Sequence, residues 1–313
     1  MLLHIGYHKA ASTVLQDQIF FSADGCFIAP STEPRHKLIE RFVLPQPMSF
    51  DPETARAHYL DLIDQARATG RTFVLSHERF SGYPPAGGFD SSIIASRLNR
   101  SFPEARILIV VREQLASIYS MYMQYVTDGG GMSLQEYLQP PKRYFKRLPS
   151  FTAEFYRYHR LVERYRDLFG AERVLCLPFE LLITDPAEFQ SRIYAFAGQP
   201  FRNTALHSEN RGRSPSFQFA QRLVNRHFGY SELNRVKHYT PEQLPRWFGS
   251  VSRVWTKGLF GRLDKSLEHR MKSRLQREFG DAFAESNAKL SQMMDYDIAG
   301  LGYQYPQGQA LVA

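Results

Sequence analysis

The sequence has few cysteines, few tryptophans and no long hydrophobic run. Only two cysteines, Cys26 and Cys176, and two tryptophans occur among its 313 residues. Two cysteines so far apart do not make a secreted disulfide framework, so we expect a reducing compartment and two buried thiols among apolar neighbours. No apolar stretch approaches the roughly 18 residues of a membrane span, and no signal-peptide pattern precedes the first apolar residues. These absences predict a globular, cytoplasmic protein.

The chain also lacks the usual patterns for binding ATP and metals. The stretch HIGYHKAASTVLQ, His4–Gln16, is typical of a phosphate-binding loop between a strand and a helix. However, Lys9 comes only three residues after Gly6, and Ala10 and Ala11 stand where glycines would be expected, so the Walker pattern is missing. The ten histidines show no metal-ligand spacing, and no carboxylate pair follows a strand to hold Mg²⁺. We expect a site without metal.

Acidic residues are scarce in the C-terminal third. The formal net charge is +8, and residues 201–280 contain sixteen Lys and Arg against six Asp and Glu. A basic region of this kind favours an anionic ligand, acceptor or lipid surface. The amphipathic segment Phe248–Leu263 has two interpretations, contact with an anionic membrane or packing against the rest of the protein. Nucleic acid is not expected, because no helix-turn-helix or zinc pattern is found.

Short apolar runs separated by helical patterns indicate an α/β protein. We predict a three-layer, P-loop-like fold with a central, mostly parallel sheet flanked by helices, over residues 1–200. Residues 201–313 are expected to form a helical, basic C-terminal part of the same domain. The predicted strands are Leu2–Ile5, Thr72–Ser76, Arg106–Val111 and Arg173–Leu177, and the predicted helices are Pro52–Ala68, Ser91–Arg100, Gln114–Val126, Phe151–Phe169 and Ala187–Ala197.

Two segments that follow predicted strands carry groups suited to phosphate. Lys9 leads into a helix whose first turn includes Ser12 and Thr13, and a helix N-terminus offers unpaired N–H groups to an anion. Arg112 ends another strand, and Ser120 lies eight residues later, about two helical turns along. A capped turn and a charged strand end are the plain alternatives for each segment taken alone. Together the segments indicate a bound phosphorylated ligand.

The two segments together resemble the sulfotransferase family that uses 3′-phosphoadenosine-5′-phosphosulfate (PAPS). GYHKAASTVLQ is similar to the family's 5′-phosphosulfate loop, and VVREQLASIYSMY is similar to its 3′-phosphate motif. The stretches RVLCLPFELLITDP and FAESNAKLSQMMDYDIAGLGY also resemble bacterial members. The sequence departs from the family pattern at one position of the loop, where Ala11 replaces the usual glycine. The resemblance implies that the 5′-phosphosulfate is bound by Lys9, Ser12 and Thr13 and by the backbone of Ala10 and Ala11. It implies that the 3′-phosphate is bound by Arg112 and Ser120.

A third segment resembles the loop that closes the nucleotide pocket in many family members. SENRGRSPSF, Ser208–Phe217, is polar and contains Arg211, Gly212 and Arg213. The resemblance implies that these arginines support the 3′-phosphate or cover the adenine. A solvent-exposed helix entry is the open alternative.

Transfer of a sulfuryl group needs a base for the acceptor proton and support for the departing phosphate. Lys9 is the candidate for that support. His77 and Glu78 follow the strand Thr72–Ser76, and several family branches use Glu at this place while others use His. We favour Glu78 over His77, provided that burial raises its pKa. The alternatives are an ion pair of Glu78 with a nearby Lys or Arg, here Arg79, Lys9 or Arg112, and a structural, hydrogen-bonded role for His77.

The sequence thus predicts a PAPS-dependent sulfotransferase that acts on an acceptor hydroxyl, with a carbohydrate or glycolipid as the expected acceptor. Two other functions remain open. One is a P-loop-like small-molecule or nucleoside kinase, and the other is a non-enzymatic membrane- or nucleic-acid-binding protein that uses the basic third. The pattern indicates no oligomeric state.

Overall fold

The computed structural model describes residues 1–22, 25–139, 150–206, 213–228 and 260–306. Strands and helices alternate along most of the chain. In chain order they are β1 (Leu2–Gly6), α1 (Ser12–Leu15), β2 (Phe27–Ile28), α2 (His36–Phe42), α3 (Pro52–Ala57), α4 (Leu60–Ala68), β3 (Thr72–Ser76), α5 (Ser91–Ser101), β4 (Arg106–Val111), α6 (Gln114–Thr127), α7 (Leu134–Leu138), α8 (His159–Phe169), β5 (Val174–Pro178), α9 (Phe179–Thr184), α10 (Pro186–Ala197), α11 (Pro215–Phe228), α12 (Gly261–Phe279) and α13 (Ala284–Met294).

The five strands form one parallel sheet in the order β2-β3-β1-β4-β5. Every residue of β1 and β3 is buried. Because successive side chains of a strand point to opposite faces, this burial means that both faces of the sheet are covered. The predicted α/β fold with a central parallel sheet flanked by helices is confirmed.

The chain divides into two compact units. The first unit comprises Met1–Gln114, Ala153–His207 and Asp281–Ala313, and it contains the whole sheet. The second unit comprises Leu115–Thr152 and Ser208–Gly280, and its described part is helical. The predicted division at residue 200 stays a prediction. Within the described ranges, no helix combines the length and the apolar character needed to cross a membrane.

The helix predicted over Pro52–Ala68 is broken in the middle. Its start is as expected, since the Asp51 carboxylate accepts hydrogen bonds from the N–H groups of Glu53 and Thr54. The break falls between α3 and α4, where Tyr59 leaves the helical conformation and buries its ring almost completely. Its hydroxyl receives a hydrogen bond from Arg41 at 2.6 Å. Packing of this one ring therefore overrides the local helical pattern.

The start of one other predicted helix shifts because of packing in the core. The predicted helix Phe151–Phe169 becomes a 3₁₀ turn, Ala153–Tyr156, followed by α8 from His159. Aromatic side chains at the start of this segment are buried in the core, where Phe155 and Tyr158 pack on the ring of Tyr7 at centroid distances of 5.1 and 4.4 Å.

Both cysteines are free and buried, as predicted.

Candidate active site

Three loops that carry the predicted site residues leave neighbouring strands at the same edge of the sheet. β1 lies between β3 and β4, so the segments after these strands are adjacent at their carboxyl ends. After β1 the chain runs to β2 and β3 on one side of β1 and then to β4 on its other side. The carboxyl end of β1 is therefore a topological switch point. Ligands of open α/β sheets bind at such a point.

The β1–α1 loop, residues 7–11, has an unusual backbone. Lys9 and Ala11 have φ angles of 66° and 61°, in the left-handed region. Between them, the N–H of Ala10 donates to the carbonyl of Tyr7 at 3.1 Å. Ala11 is the N-cap of α1 and makes no side-chain cap hydrogen bond. The alanine that replaces the family's glycine therefore adopts the conformation that glycine favours.

The start of α1 offers donors to a ligand. Ser12 is buried, and its hydroxyl has no hydrogen-bond partner among the residues that the structure describes. The first N–H groups of a helix also lack intrahelical partners. A Cβ atom on Gly6 would lie 2.3 Å from the Ser12 Oγ, so the absence of a side chain at Gly6 keeps the space beside this hydroxyl open. Lys9 and Thr13 are exposed at the same loop. This cradle fits an anionic group such as a phosphosulfate.

Arg112 connects the end of β4 to this loop. Its Nη1 donates to the carbonyl of Lys9 at 3.2 Å, and its guanidinium lies 5.1 Å from the centroid of the Phe179 ring. Arg112 and Lys9 were predicted to act on the same nucleotide, and the structure brings them together.

Two further segments named in the resemblance meet just beyond Arg112. The N–H of Glu113 donates to Glu180 Oε1 at 3.0 Å, and the hydroxyl of Tyr303 donates to Glu180 Oε2 at 2.8 Å. Glu180 belongs to the stretch RVLCLPFELLITDP, and Tyr303 ends the stretch FAESNAKLSQMMDYDIAGLGY. These motifs therefore support the end of β4.

His77 at the end of β3 acts as a cap. Its Nδ1 accepts a hydrogen bond from the N–H of Arg79 at 3.0 Å, at the start of the 3₁₀ turn Glu78–Ser81. Burial lowers the pKa of His77, so the ring is neutral at neutral pH and carries its proton on Nε2. The lone pair on Nδ1, which a base would need, is already engaged.

Glu78 is the more accessible of the two candidate bases, with 37% of its side chain exposed. Burial acts to raise its pKa, but electrostatic interactions with His77, His8 and Arg35 and a backbone hydrogen bond outweigh this effect, so the pKa is lowered. The sequence argument needed a raised pKa, and the structure has the opposite shift. Glu78 is therefore ionised and able to accept a proton, but its lowered pKa makes it a weak base in the ligand-free protein. Arg79, one of its proposed ion-pair partners, instead binds Asp90 at 2.8 Å.

His8 links the β1–α1 loop to the segment after β3. Its Nε2 lies 3.2 Å from the carbonyl of Gly82. Because a carbonyl oxygen can only accept a hydrogen bond, Nε2 of His8 carries the proton and donates it, and Nδ1 is unprotonated. Burial lowers the pKa of His8 to about 4. This link orders the β1–α1 loop.

A buried polar network under the loop was missed in the sequence. The Nδ1 atom of His4 lies 2.7 Å from Ser76 Oγ, and Gln16 Nε2 donates to the Oγ and the carbonyl of Ser76 at 2.9 and 3.0 Å. The three residues lie on β1, on β3 and in the turn after α1. In the sequence, the one sign of this network is His4, a histidine inside an apolar strand, and nothing there indicates that Ser76 and Gln16 belong to the network.

Part of the chain can be assigned by comparison. Residues 94–203 match the model of a family described as the sulfotransferase family. This match agrees with the predicted sulfotransferase family over that part of the chain. The matched stretch contains Arg112 and Ser120, whereas the β1–α1 loop lies before it. No curated protein matches this chain.

Solved sulfotransferase structures are also similar to this chain. A sulfotransferase from Alicyclobacillus acidocaldarius is 23% identical, with 71% of this chain and 93% of that chain covered and a TM-score of 0.46. The sulfotransferase domain of the Synechococcus PCC 7002 olefin synthase is 13% identical, with coverages of 83% and 95% and a TM-score of 0.37. Mouse sulfotransferase SULT7A1, complexed with PAP, is 12% identical, with coverages of 96% and 86% and a TM-score of 0.37.

The remaining predicted site residues lie in the second unit or outside the described residues. Ser120 is half-buried on α6. Arg213 donates to Gln221 Oε1 at 3.0 Å, within the second unit. Arg211, Gly212 and residues 248–259 of the amphipathic segment are outside the described ranges. Their roles stay predictions. Among the described residues, no group of three or more His, Cys, Asp or Glu is placed to hold a metal ion.

Proposed function

We propose that this sulfotransferase transfers a sulfuryl group from PAPS to a hydroxyl group of a carbohydrate or glycolipid. The observation that carries the proposal is the cradle at the end of β1. Three features meet there at one switch point: the buried Ser12 hydroxyl, which has no hydrogen-bond partner in the described part of the chain, the left-handed Ala11, and the Arg112–Lys9 contact. Cationic and N–H donors converge at a helix start, which is the chemistry that holds a phosphate or sulfate.

Within this proposal, each residue of the cradle has a distinct task. PAPS, when bound, supplies the sulfuryl group on a phosphate leaving group. Lys9, Ser12 and Thr13, with the loop backbone, would hold the 5′-phosphosulfate, and Lys9 would offset the charge that develops on the departing phosphate. Arg112 would contribute to the 3′-phosphate site. Its hydrogen bond to the Lys9 carbonyl couples that site to the loop.

Glu78 is the proposed base. It would take the proton of the acceptor hydroxyl as the new oxygen–sulfur bond forms and the sulfur–phosphate oxygen bond breaks. The His77 Nδ1 lies 3.7 Å from Glu78 Oε2 and is occupied by the Arg79 N–H, so His77 orients this segment. The ionised state of Glu78 favours proton acceptance over donation.

Calorimetry with 3′-phosphoadenosine-5′-phosphate tests the nucleotide part of the proposal. The wild-type protein should bind it equally well with EDTA and with Mg²⁺. Lys9→Ala and Arg112→Ala should each weaken binding about tenfold or more, because each removes a charge-assisted hydrogen bond to the ligand. Glu78→Gln is the matched control, since it should retain the nucleotide affinity. A requirement for Mg²⁺ together with a preference for ATP would instead identify a kinase.

A screen of hydroxyl acceptors with radiolabelled PAPS tests the transfer itself. Labelled sulfate should move to a glycan or glycolipid and should not move when Glu78 is replaced by Gln. Tight nucleotide binding without transfer to any acceptor, and without PAPS hydrolysis, would count against an enzyme and favour the binding-protein alternative.

A further inference from the structure

The second unit contains an open cavity that the proposed function does not use. Its volume is about 510 Å³, and all the residues that line it belong to the second unit. They come from α6 and the start of α7, from α11 and from α12. The segments that carry the resemblance leave out residues 218–282, which contain most of α11 and all of α12. The cavity is therefore a feature of this chain that the resemblance does not explain.

The charged residues in the described part of the cavity lining are all basic. Four arginines, Arg222, Arg270, Arg274 and Arg277, line it together with His269, and no Asp or Glu is among the described lining residues. Among the described residues, none of the four arginines forms an ion pair. Like charges gathered without counter-charges repel one another, so an anion that enters the cavity relieves this repulsion.

Neighbouring basic residues on the same helices behave differently. Arg226 of α11 binds Glu136 at 3.0 Å, and Lys272 of α12 binds Glu268 at 2.7 Å. Acidic side chains thus lie near these helices, but they form ion pairs with basic residues outside the cavity lining. Moreover, the Nε of Arg274 is buried and has no hydrogen-bond partner among the described residues. A buried donor of this kind fits a ligand that supplies the acceptor.

The rest of the described lining is mostly apolar, with a few Ser and Gln side chains. Side chains of Tyr122, Met123 and Val126 from α6 face the cavity, and so do Phe219 of α11 and Met271 of α12. The guanidinium of Arg222 lies over the Phe219 ring, 5.1 Å from its centroid. This stacking joins the charged part of the lining to the apolar part. A ligand that fills the cavity must therefore have both an anionic and an apolar portion.

We propose that this cavity binds an anionic amphiphile, in which an apolar chain or ring is joined to a carboxylate, phosphate or sulfate head. The arginine forks match the oxygens of such a head, and the aromatic and methionine side chains accept the apolar portion. The proposal is independent of the proposed function, because neither Lys9 nor Glu78 lines the cavity.

Calorimetric titration of the full chain with decyl phosphate, below its micelle concentration, tests this site. Decyl phosphate should bind, and affinity should fall by up to about fourfold for each methylene removed along a series to hexyl phosphate. Inorganic phosphate should bind far more weakly, and decyl maltoside, which has the chain without the charge, should not bind. Arg274→Ala and Arg222→Ala should each reduce the affinity about tenfold.

The control variant is Arg262→Ala, on the same helix but exposed and outside the cavity lining. It removes one positive charge and should leave decyl phosphate binding unchanged. Lys9→Ala should also bind decyl phosphate as the wild type does, which separates this site from the nucleotide site. If Arg274→Ala or Arg222→Ala loses its fold by circular dichroism, the exposed pair Arg270→Ala and Arg277→Ala replaces it. Unchanged affinity in the cavity variants, or equal binding of inorganic and decyl phosphate, would overturn the proposal.

Discussion

Ala11 holds a backbone conformation that is costly for an alanine. A left-handed φ of 61° brings its Cβ close to the backbone, at a cost of roughly 1–2 kcal/mol. Lys9, two residues earlier, has a φ of 66° and bears the same type of cost. Strain of this kind persists only where the surroundings determine the conformation, and here the Arg112 hydrogen bond to the Lys9 carbonyl is one such restraint.

We expect Ala11→Gly to raise the free energy of unfolding by about 1 kcal/mol, because glycine adopts this φ without strain and the entropic cost of glycine offsets only part of the gain. Urea denaturation measures the change. The matched control is Ala10→Gly at the neighbouring buried position, where φ is not positive and the same replacement should destabilise. Loss of stability in both variants would show that Ala11 is not strained.

The roles of Glu78 and His77 can be separated by two conservative substitutions. Glu78→Gln keeps the shape of the side chain but removes the proton acceptor, so kcat should fall at least a hundredfold. In His77→Asn the amide oxygen can still accept the Arg79 N–H, which preserves the cap that His77 provides. We expect this variant to retain kcat within a few fold.

Steady-state rates at saturating donor measure both effects, with nucleotide affinity as the check on folding. The opposite ranking, an inactive His77→Asn beside an active Glu78→Gln, would make His77 the base.

At the scale of the elements, Arg97 of α5 holds the C-terminus of α2 and the segment that follows. It is 4% exposed, and its Nη1 donates to the carbonyls of Phe42 and Val43 at 3.0 and 2.8 Å. Its Nη2 donates to the carbonyl of Pro45. A cation at a helix C-terminus also interacts favourably with the helix dipole.

Arg97→Met should therefore lower the free energy of unfolding by about 3 kcal/mol, because it leaves three carbonyls without their partner at about 1 kcal/mol each. The control is Arg100→Met, one turn later on α5. Both arginines lie over the Phe50 ring, but Arg100 is exposed. A small effect, below about 0.5 kcal/mol, is expected there. Equal effects of the two substitutions in urea denaturation would contradict this role for Arg97.

Elements with a strong local pattern could be predicted from the sequence. The bounds of β3 and β4 are as predicted, because each is an apolar run between turn signals. β2 has only two residues and joins the edge of the sheet by pairing with β3, so its local pattern is too short to be seen. The break between α3 and α4 depends on burial of the Tyr59 ring, which no local pattern encodes.

The same limit applies to the candidate site. Lys9 and Arg112 follow from the strand–loop pattern and the resemblance, whereas the hydrogen bond between them joins residues 103 positions apart. The His4–Ser76 contact spans 72 positions, and the His8–Gly82 contact spans 74. The sequence predicts which groups the candidate site contains, but the pKa of Glu78 depends on interactions with His8 and Arg35 that only the fold brings to it.

At the scale of the whole molecule, basic and titratable groups are unevenly distributed between the two units. The basic cavity lies in the second unit, whereas the histidines with a lowered pKa lie in the first. They are His4, His8, His77 and His159. In each case burial is the largest cause, because it disfavours the charged imidazolium. The sheet-containing unit is therefore the part of the molecule whose stability should respond to mild acid.

The sign of this response follows from proton uptake. The pKa of His4 is about 4 in the folded state, against 6.5 when the residue is exposed, so the unfolded chain binds more protons between these values. The contribution of His4 to the free energy of unfolding is therefore highest above pH 6.5 and falls as the pH drops towards 4. Each fully shifted histidine contributes up to about 1.4 kcal/mol per pH unit. Urea denaturation at pH 7.5, 6 and 5 measures the slope, and it avoids the range in which carboxylates titrate. In His4→Asn the amide can still bind Ser76, and the slope should decrease by about the share of one histidine. An unchanged slope would mean that His4 is accessible to protons in the folded protein.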